Sequence, residues 1–225
     1  MKKYQVILFD LDGTLLDFHQ SSKKAFQKVF QLFSLPYSEE LFSKYAAMNL
    51  SLWESYERGE ITKEEIFERR FSDLFAELHW SADGHLVQIE YQKLLQKQAD
   101  LIPHAKEVLE ELAKKYTIYF VTNGERVTQQ ERLARTGLMN FAKDVFISDE
   151  IGYQKPDIRY FQYVFDHIPE KDKTKFLLIG DSLTSDMKGA QIAGIDGCFF
   201  SPTKQKSDVP VTYQISSLLE LKKLL

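Results

Sequence analysis

The chain opens with an unbroken apolar run, Val6-Ile7-Leu8-Phe9, within the segment Gln5–Asp10, and the run stops abruptly at acidic and glycine residues. With no polar alternation, such a run predicts a strand buried on both faces, as in a parallel sheet. From Ser21 to about Leu95 the period changes to that of helices. Ala25, Phe26, Val29, Phe30 and Phe33 recur at helical spacing, and a second helix is expected from near Ser38 through Leu41, Tyr45, Leu52 and Tyr56. Gly59 is placed to end it in a left-handed cap. Thr62 with Glu65 forms a capping box for a third helix carrying Ile66, Arg69, Arg70 and Phe71. Tyr91, Leu94 and Leu95 belong to a further helix, and no strand pattern interrupts this stretch.

After Pro103 the rhythm is strand, loop, helix, repeated. A helix with Val108, Leu109 and Leu112 precedes a strand, Thr117–Thr122, and a helix from about Glu125 to Arg135 ends at Gly137. The short strand Val145–Ile147 follows, then a helix through Tyr160, Phe161, Val164 and Phe165, and the strand Phe176–Ile179. A helix is expected from about Asp186 to Ala193, closed by Gly194. Ile195–Phe200 and Tyr213–Ile215 read as edge strands, and Ser217–Leu224 as a last helix. Alternating strand and helix implies a parallel sheet covered on both faces. The expected fold class is therefore α/β, a doubly wound (Rossmann-like) core of residues 1–16 and 101–225 with a helical cap domain, 17–100, inserted after the first strand.

Composition narrows the field. The 225 residues are 44% hydrophobic and 28% charged, with a net charge of −4. Basic residues are spread rather than clustered, which predicts no nucleic-acid polymer as partner and no polybasic membrane segment. The run before Asp10, following Met1-Lys2-Lys3, is too short for a signal-peptide core, and no stretch approaches a membrane span. The single Cys198, between Gly197 and Phe199-Phe200, reads as an inert buried thiol. A lone cysteine fits a reducing compartment, so the expected location is cytoplasmic. A monomer or weak homodimer is expected.

In an open parallel sheet, ligands bind beyond the carboxyl ends of the strands. Those ends carry Asp10-Leu11-Asp12-Gly13-Thr14, then Thr122-Asn123-Gly124, then a loop with Lys155-Pro156-Asp157, then Gly180-Asp181-Ser182 with Asp186 beyond. Asp10 and Asp181 can offer carboxylate oxygens to one Mg²⁺, which prefers an octahedral oxygen shell. Asp10, ionised at neutral pH, is the candidate nucleophile toward phosphorus. Asp12 is placed to protonate a leaving oxygen and later activate water. Lys155 would neutralise the transferring phosphoryl group, with Thr122, Asn123 and Gly124 binding its oxygens. Asp186 would orient either Lys155 or a metal-bound water. The bland alternatives are an acidic calcium-type loop or turn at Asp10–Thr14, a solvated Lys155, and a helix-dipole role for Asp186. His19, His79, His85, His104 and His167 show no ligand spacing, and there is no Walker-A pattern. Trp53, Tyr45 and Tyr56 fit core positions, with base stacking the alternative if any faces a cleft.

Taken in order, Asp10-Leu-Asp-Gly-Thr, Thr122, Lys155 and Gly180-Asp181…Asp186 resemble the four motifs of haloacid dehalogenase-like (HAD) hydrolases across essentially the whole chain. A helical insert between the first two motifs is similar to subfamily I members with a C1 cap. The resemblance implies Asp10 as nucleophile, Asp12 as acid/base, and Mg²⁺ held by Asp10, Asp181 and the backbone carbonyl of Asp12. Dehalogenases usually lack a second aspartate in the first motif, so Asp12 points to phosphoryl chemistry. The stretches Asn49–Trp53, Gly59–Thr62, Val121–Gly124 and Gly180–Asp186 followed by Ala193–Asp196 resemble the bacterial pyrimidine 5′-nucleotidase branch. Phe199 and Phe200 stand where that branch more often has Trp or Tyr. The implied substrate is a small phosphate ester, a nucleoside 5′-monophosphate. The rivals are a sugar-phosphate phosphatase, a phosphomutase using the same site, and a non-catalytic phospho-ligand binder.

Overall fold

The structure is a computed structural model describing residues 4–225; Met1–Lys3, which begin the expected core segment, lie outside the described residues. Strand β1 (Val6–Phe9) is followed by four helices, α1 (Phe18–Leu32), α2 (Glu39–Glu57), α3 (Lys63–Glu77) and α4 (Gly84–Gln96). Then come α5 (Ala105–Leu112), β2 (Thr117–Thr122), α6 (Arg126–Thr136), β3 (Asp144–Ile147), a single helical turn α7 (Ser148–Ile151) and α8 (Ile158–His167). The chain ends with β4 (Phe176–Gly180), α9 (Lys188–Ala193), β5 (Asp196–Phe200), β6 (Tyr213–Ile215) and α10 (Leu221–Leu224). Residues up to Asp17 together with Ala99–Leu225 form one compact unit, and Phe18–Gln98 form a second.

In the first unit six parallel strands form one sheet in the order β3-β2-β1-β4-β5-β6. Side chains alternate between two cores because the strand period is two. Ile7, Phe9, Ile118, Phe120, Leu177 and Ile179 enter one core with α5. Val6, Leu8, Tyr119, Val121, Phe176 and Leu178 enter the other with α8 and α9. Apolar packing on both faces explains why β1 reads as a continuous hydrophobic run. The order reverses at β1, whose neighbours are β2 and β4, so the switch point lies at the carboxyl ends of β1 and β4.

Three expectations are corrected. β5 is not an edge strand: it lies between β4 and β6, and the edges are β3 and β6. Asp186 does not open α9. It sits inside a wide π-type turn, Leu183–Met187, in which Ser182 O accepts from both Asp186 N (3.1 Å) and Met187 N (3.0 Å). The last helix is split, a 3₁₀ turn at Leu218–Glu220 leading into α10. Cys198 is buried, and burial pushes its thiol pKa up to about 12, away from reactivity.

The second unit is an aromatic-rich helical core. Phe26 stacks on Phe30 with centroids 3.8 Å apart, and Tyr45 on Phe71 at 5.0 Å. Tyr56 is buried and meets the half-buried Trp53 edge-on. The Thr62–Glu65 capping box starts α3, and Gly59 has φ +76° after α2. Arg70 is buried, bonded to the amide oxygens of Gln88 (2.6 Å), Gln92 (2.8 Å) and Asn49 (3.3 Å) and lying over the Tyr91 ring. Among the described residues no helix is long and apolar enough to cross a membrane.

Candidate active site

The ladder that builds the sheet also fixes the first acidic residue. Asp10 N donates to Ile179 O at 2.9 Å, continuing the β1–β4 pairing one residue past the strand. Its carboxylate is buried, with Oδ1 accepting from Lys155 Nζ at 2.7 Å and Oδ2 left without a partner. Lys155 arrives from the loop before α8 and is also buried. Its ammonium donates to Asp186 Oδ1 at 2.6 Å and to Val121 O at 3.1 Å. Its backbone is clasped by Asn123, whose amide accepts from Lys155 N (2.8 Å) and donates to Lys155 O (2.9 Å). Burial alone would lower the lysine pKa, but the charges of Asp10 and Asp186 outweigh it and hold it above the ordinary lysine value. The ammonium stays charged.

Asp181 follows β4 directly, and its Oδ1 accepts from Thr14 Oγ1 at 3.1 Å. Gly13, at φ +85°, lies against it: a Cβ there would come within 2.1 Å of Asp181 Oδ2. Any other residue would be strained and would collide with the carboxylate. Asp10, Asp181 and Asp186 each place one oxygen within 4.8 Å of the others. Burial raises the Asp10 pKa well above the carboxylate range, and Asp186 and Asp181 push the same way against Lys155. Burial, then the charge of Asp186, pushes Asp181 up to about 8.

These residues fit a hard divalent cation. Three carboxylates face a single ammonium, so full ionisation leaves an excess of two negative charges for one M²⁺ to balance, and Asp10 Oδ2 is a buried oxygen with no donor. A pH signature follows. Burial and Asp186 push the Asp181 carboxyl up to about 8 in the folded chain, against ~3.9 when unfolded. The folded chain therefore holds the extra proton between these values, and that stability is present below about pH 4 and lost as pH rises through about 8. Mg²⁺ competes with the proton, so it should raise the melting temperature little near pH 5. Near pH 9 it should add about 5–10 °C at a hundredfold excess over its Kd. Scanning calorimetry with Mg²⁺ or chelator checks this; a metal effect that is absent, or largest at low pH, would count against the site.

The structure revises the expected phosphate-binding turn. The Asn123 side chain is committed at both ends to the Lys155 backbone, and Gly124 N donates to Thr122 Oγ1 at 3.0 Å. Thr122 itself is buried, and its hydroxyl oxygen accepts from Gly124 N and from Gln129 Nε2. Tyr160, not anticipated, holds the turn in place: its hydroxyl accepts from Thr122 N (3.1 Å) and donates to Phe146 O (2.7 Å). Asp186 sits on Lys155 and accepts from Ser182 N at 3.1 Å, and Gly180 leaves room for it. Asp12 was anticipated; its partners were not. Gln129 Nε2 donates to Asp12 Oδ2 at 2.6 Å, and Arg132 Nη1 pairs with Asp12 Oδ1. The available signal was polar residues three apart on a helix short of apolar positions. All five histidines are exposed.

The profile of haloacid dehalogenase-like hydrolases matches residues 7–200. YfnB of Bacillus subtilis, assigned to the HAD hydrolases, is 40% identical over 224 residues, covering 98% of this chain and 95% of YfnB. Its magnesium-bound crystal structure matches with a TM-score of 0.95 at 38% identity, covering 100% of this chain and 99% of that one. The pyrimidine 5′-nucleotidase PynA of Streptococcus pneumoniae is 34% identical, with 97% of this chain and 93% of PynA covered. The pyrimidine 5′-nucleotidase YjjG of Escherichia coli is 32% identical, with 99% and 98% covered. With the acidic strand ends, the buried lysine and a profile match running from β1 to the end of β5, the chain belongs to the haloacid dehalogenase-like hydrolase family.

Proposed function

We propose that the chain is a Mg²⁺-dependent phosphomonoester hydrolase that works through an aspartyl-phosphate on Asp10 and prefers pyrimidine nucleoside 5′-monophosphates. The observation that carries this reading is the buried Lys155 ammonium bridging Asp10 and Asp186, beside an Asp10 oxygen with no donor. Lys155 opposes the proton that burial favours on Asp10 and leaves one of its oxygens open. In the first step the Asp10 carboxylate attacks phosphorus, the ester P–O bond breaks, and Asp12 gives its proton to the departing alkoxide. In the second, Asp12 takes a proton from water, which attacks the acyl phosphate and returns Asp10 and inorganic phosphate. Lys155 and the Thr122 hydroxyl stabilise the transferring oxygens. Asp10, Asp181 and the Asp12 carbonyl would hold Mg²⁺, which when bound would supply positive charge against the negative charge of the nucleophile and phosphate.

The nucleotide preference rests on PynA and YjjG, which cover nearly the full chain. Cys198 as a buried free thiol is consistent with a cytoplasmic enzyme. A phosphate-release screen across pyrimidine and purine nucleoside monophosphates and sugar phosphates, with Mg²⁺ or chelator, tests the proposal. Turnover should be greatest on pyrimidine nucleotides and vanish on chelation. Preference for a sugar phosphate would refute the substrate assignment, and no release from any ester would refute the hydrolase reading.

A further inference from the structure

Helix α6 lies in the first unit with a buried face made of Thr128, Gln129, Arg132 and Thr136 beside a single apolar residue, Leu133. A helix docked only for packing presents an apolar stripe instead. Gln129 and Arg132 are fully buried and one turn apart, and each supplies a donor to a different oxygen of Asp12. Asp12 Oδ2 accepts from the amide, so it is the Gln129 nitrogen that faces the carboxyl group. The same nitrogen donates to Thr122 Oγ1 at 2.9 Å, and Gly124 N donates there at 3.0 Å. With two N–H groups on its oxygen, the Thr122 hydroxyl has only its proton left to offer. Gly124 makes room for this arrangement, since a Cβ there would lie 2.3 Å from Gln129 Nε2.

The cost of the arrangement argues against a purely structural role. Arg132 Nε, Arg132 Nη2 and Gln129 Oε1 are buried without a partner among the described residues. Each such group keeps its desolvation cost with no hydrogen bond to offset it. An apolar pair at these positions would pack α6 at lower cost. We infer that Gln129 and Arg132 are positioning residues that fix the Asp12 carboxylate for proton transfer, and that Gln129 also sets Thr122 as a donor to anionic oxygens. The inference rests on the phosphatase reading and extends it to α6.

The test compares two kinds of ester. An alkyl phosphate needs a proton on its leaving oxygen, whereas p-nitrophenyl phosphate releases a stabilised phenolate without one. The alkyl ester is uridine 5′-monophosphate or, should the wild type reject nucleotides, ribose 5-phosphate. In Arg132→Met, kcat/KM on the alkyl ester should fall on the order of 10²–10³-fold, against less than about tenfold on the aryl ester. Gln129→Met should show the same asymmetry together with a raised KM on both esters. Arg132→Lys, with the charge kept, should restore part of the alkyl activity; it also serves, with a smaller asymmetry, if the methionine variant does not fold. Equal losses on both esters, or no loss, would overturn the inference while leaving the hydrolase reading intact. A wild type that cleaves neither ester would defeat that reading and this inference together.

Discussion

Asp10→Asn should lower phosphate release by on the order of 10⁴-fold or more and leave a folded chain. A carboxamide is not a nucleophile toward phosphorus, and no other carboxylate takes Asp10's place at the end of β1. Asp181 is held by Thr14, and Asp186 is bonded to Lys155 and Ser182 N. The substitution is nearly isosteric, and Lys155 keeps one anionic partner, so the fold should survive. Phosphate release under saturating substrate and Mg²⁺, with circular dichroism of the variant, reads both halves. A folded variant with more than a few per cent of wild-type turnover would remove Asp10 from the nucleophile's role.

Lys155→Met carries the largest expected effect on stability. Lys155 is about 1% exposed, and its ammonium faces two carboxylates at 2.7 and 2.6 Å. Removing one partner of a buried ionic group leaves the remaining charges uncompensated, at about 3–5 kcal/mol. The damage should shrink as pH falls toward 5. Asp10 and Asp181 are already raised in the native chain, and without the lysine a proton can take over part of its charge. Activity should fall at least about 10³-fold, because the developing phosphoryl charge loses its fixed cation. Urea unfolding at pH 5 and pH 8 decides the matter: a variant as stable as the wild type at pH 8 would show that the pair does not hold this loop.

How far the sequence carried depended on where each residue's partners lie. The apolar runs of β1, β2 and β4 were legible because strands covered on both faces carry no polar alternation. Asp10, Asp12, Thr122 and Asp181 stood out as candidates because ligands in such sheets bind just past strand ends, and Lys155 because its loop follows the third strand. Gln129 and Arg132 were not. They reach Asp12 from a helix more than a hundred residues away, and polar residues three apart look the same on a solvent face as on a buried one. The interior place of β5 was hidden because run length does not encode strand order. The engagement of Asn123 with the Lys155 backbone was hidden because an amide after a strand reads equally as a turn or a ligand. Asp186 was misplaced at a helix start because its carboxylate, shared between Lys155 and Ser182 N, belongs to a wide turn with no distinctive composition.

The chain leaves the α/β unit and returns to it at adjoining points. Asp17 N donates to Asp100 O at 2.9 Å, Ile102 N to Leu15 O at 3.0 Å, and Leu16 bridges Leu101. Eighty-odd residues are thus spliced in across a gap that a short peptide could close, at a loop-closure cost that grows only with the logarithm of length. Grafting a different helical module at this seam would leave the sheet's pairings untouched. The inserted unit can therefore be exchanged as one contiguous segment, with the strand-end carboxylates inherited unchanged.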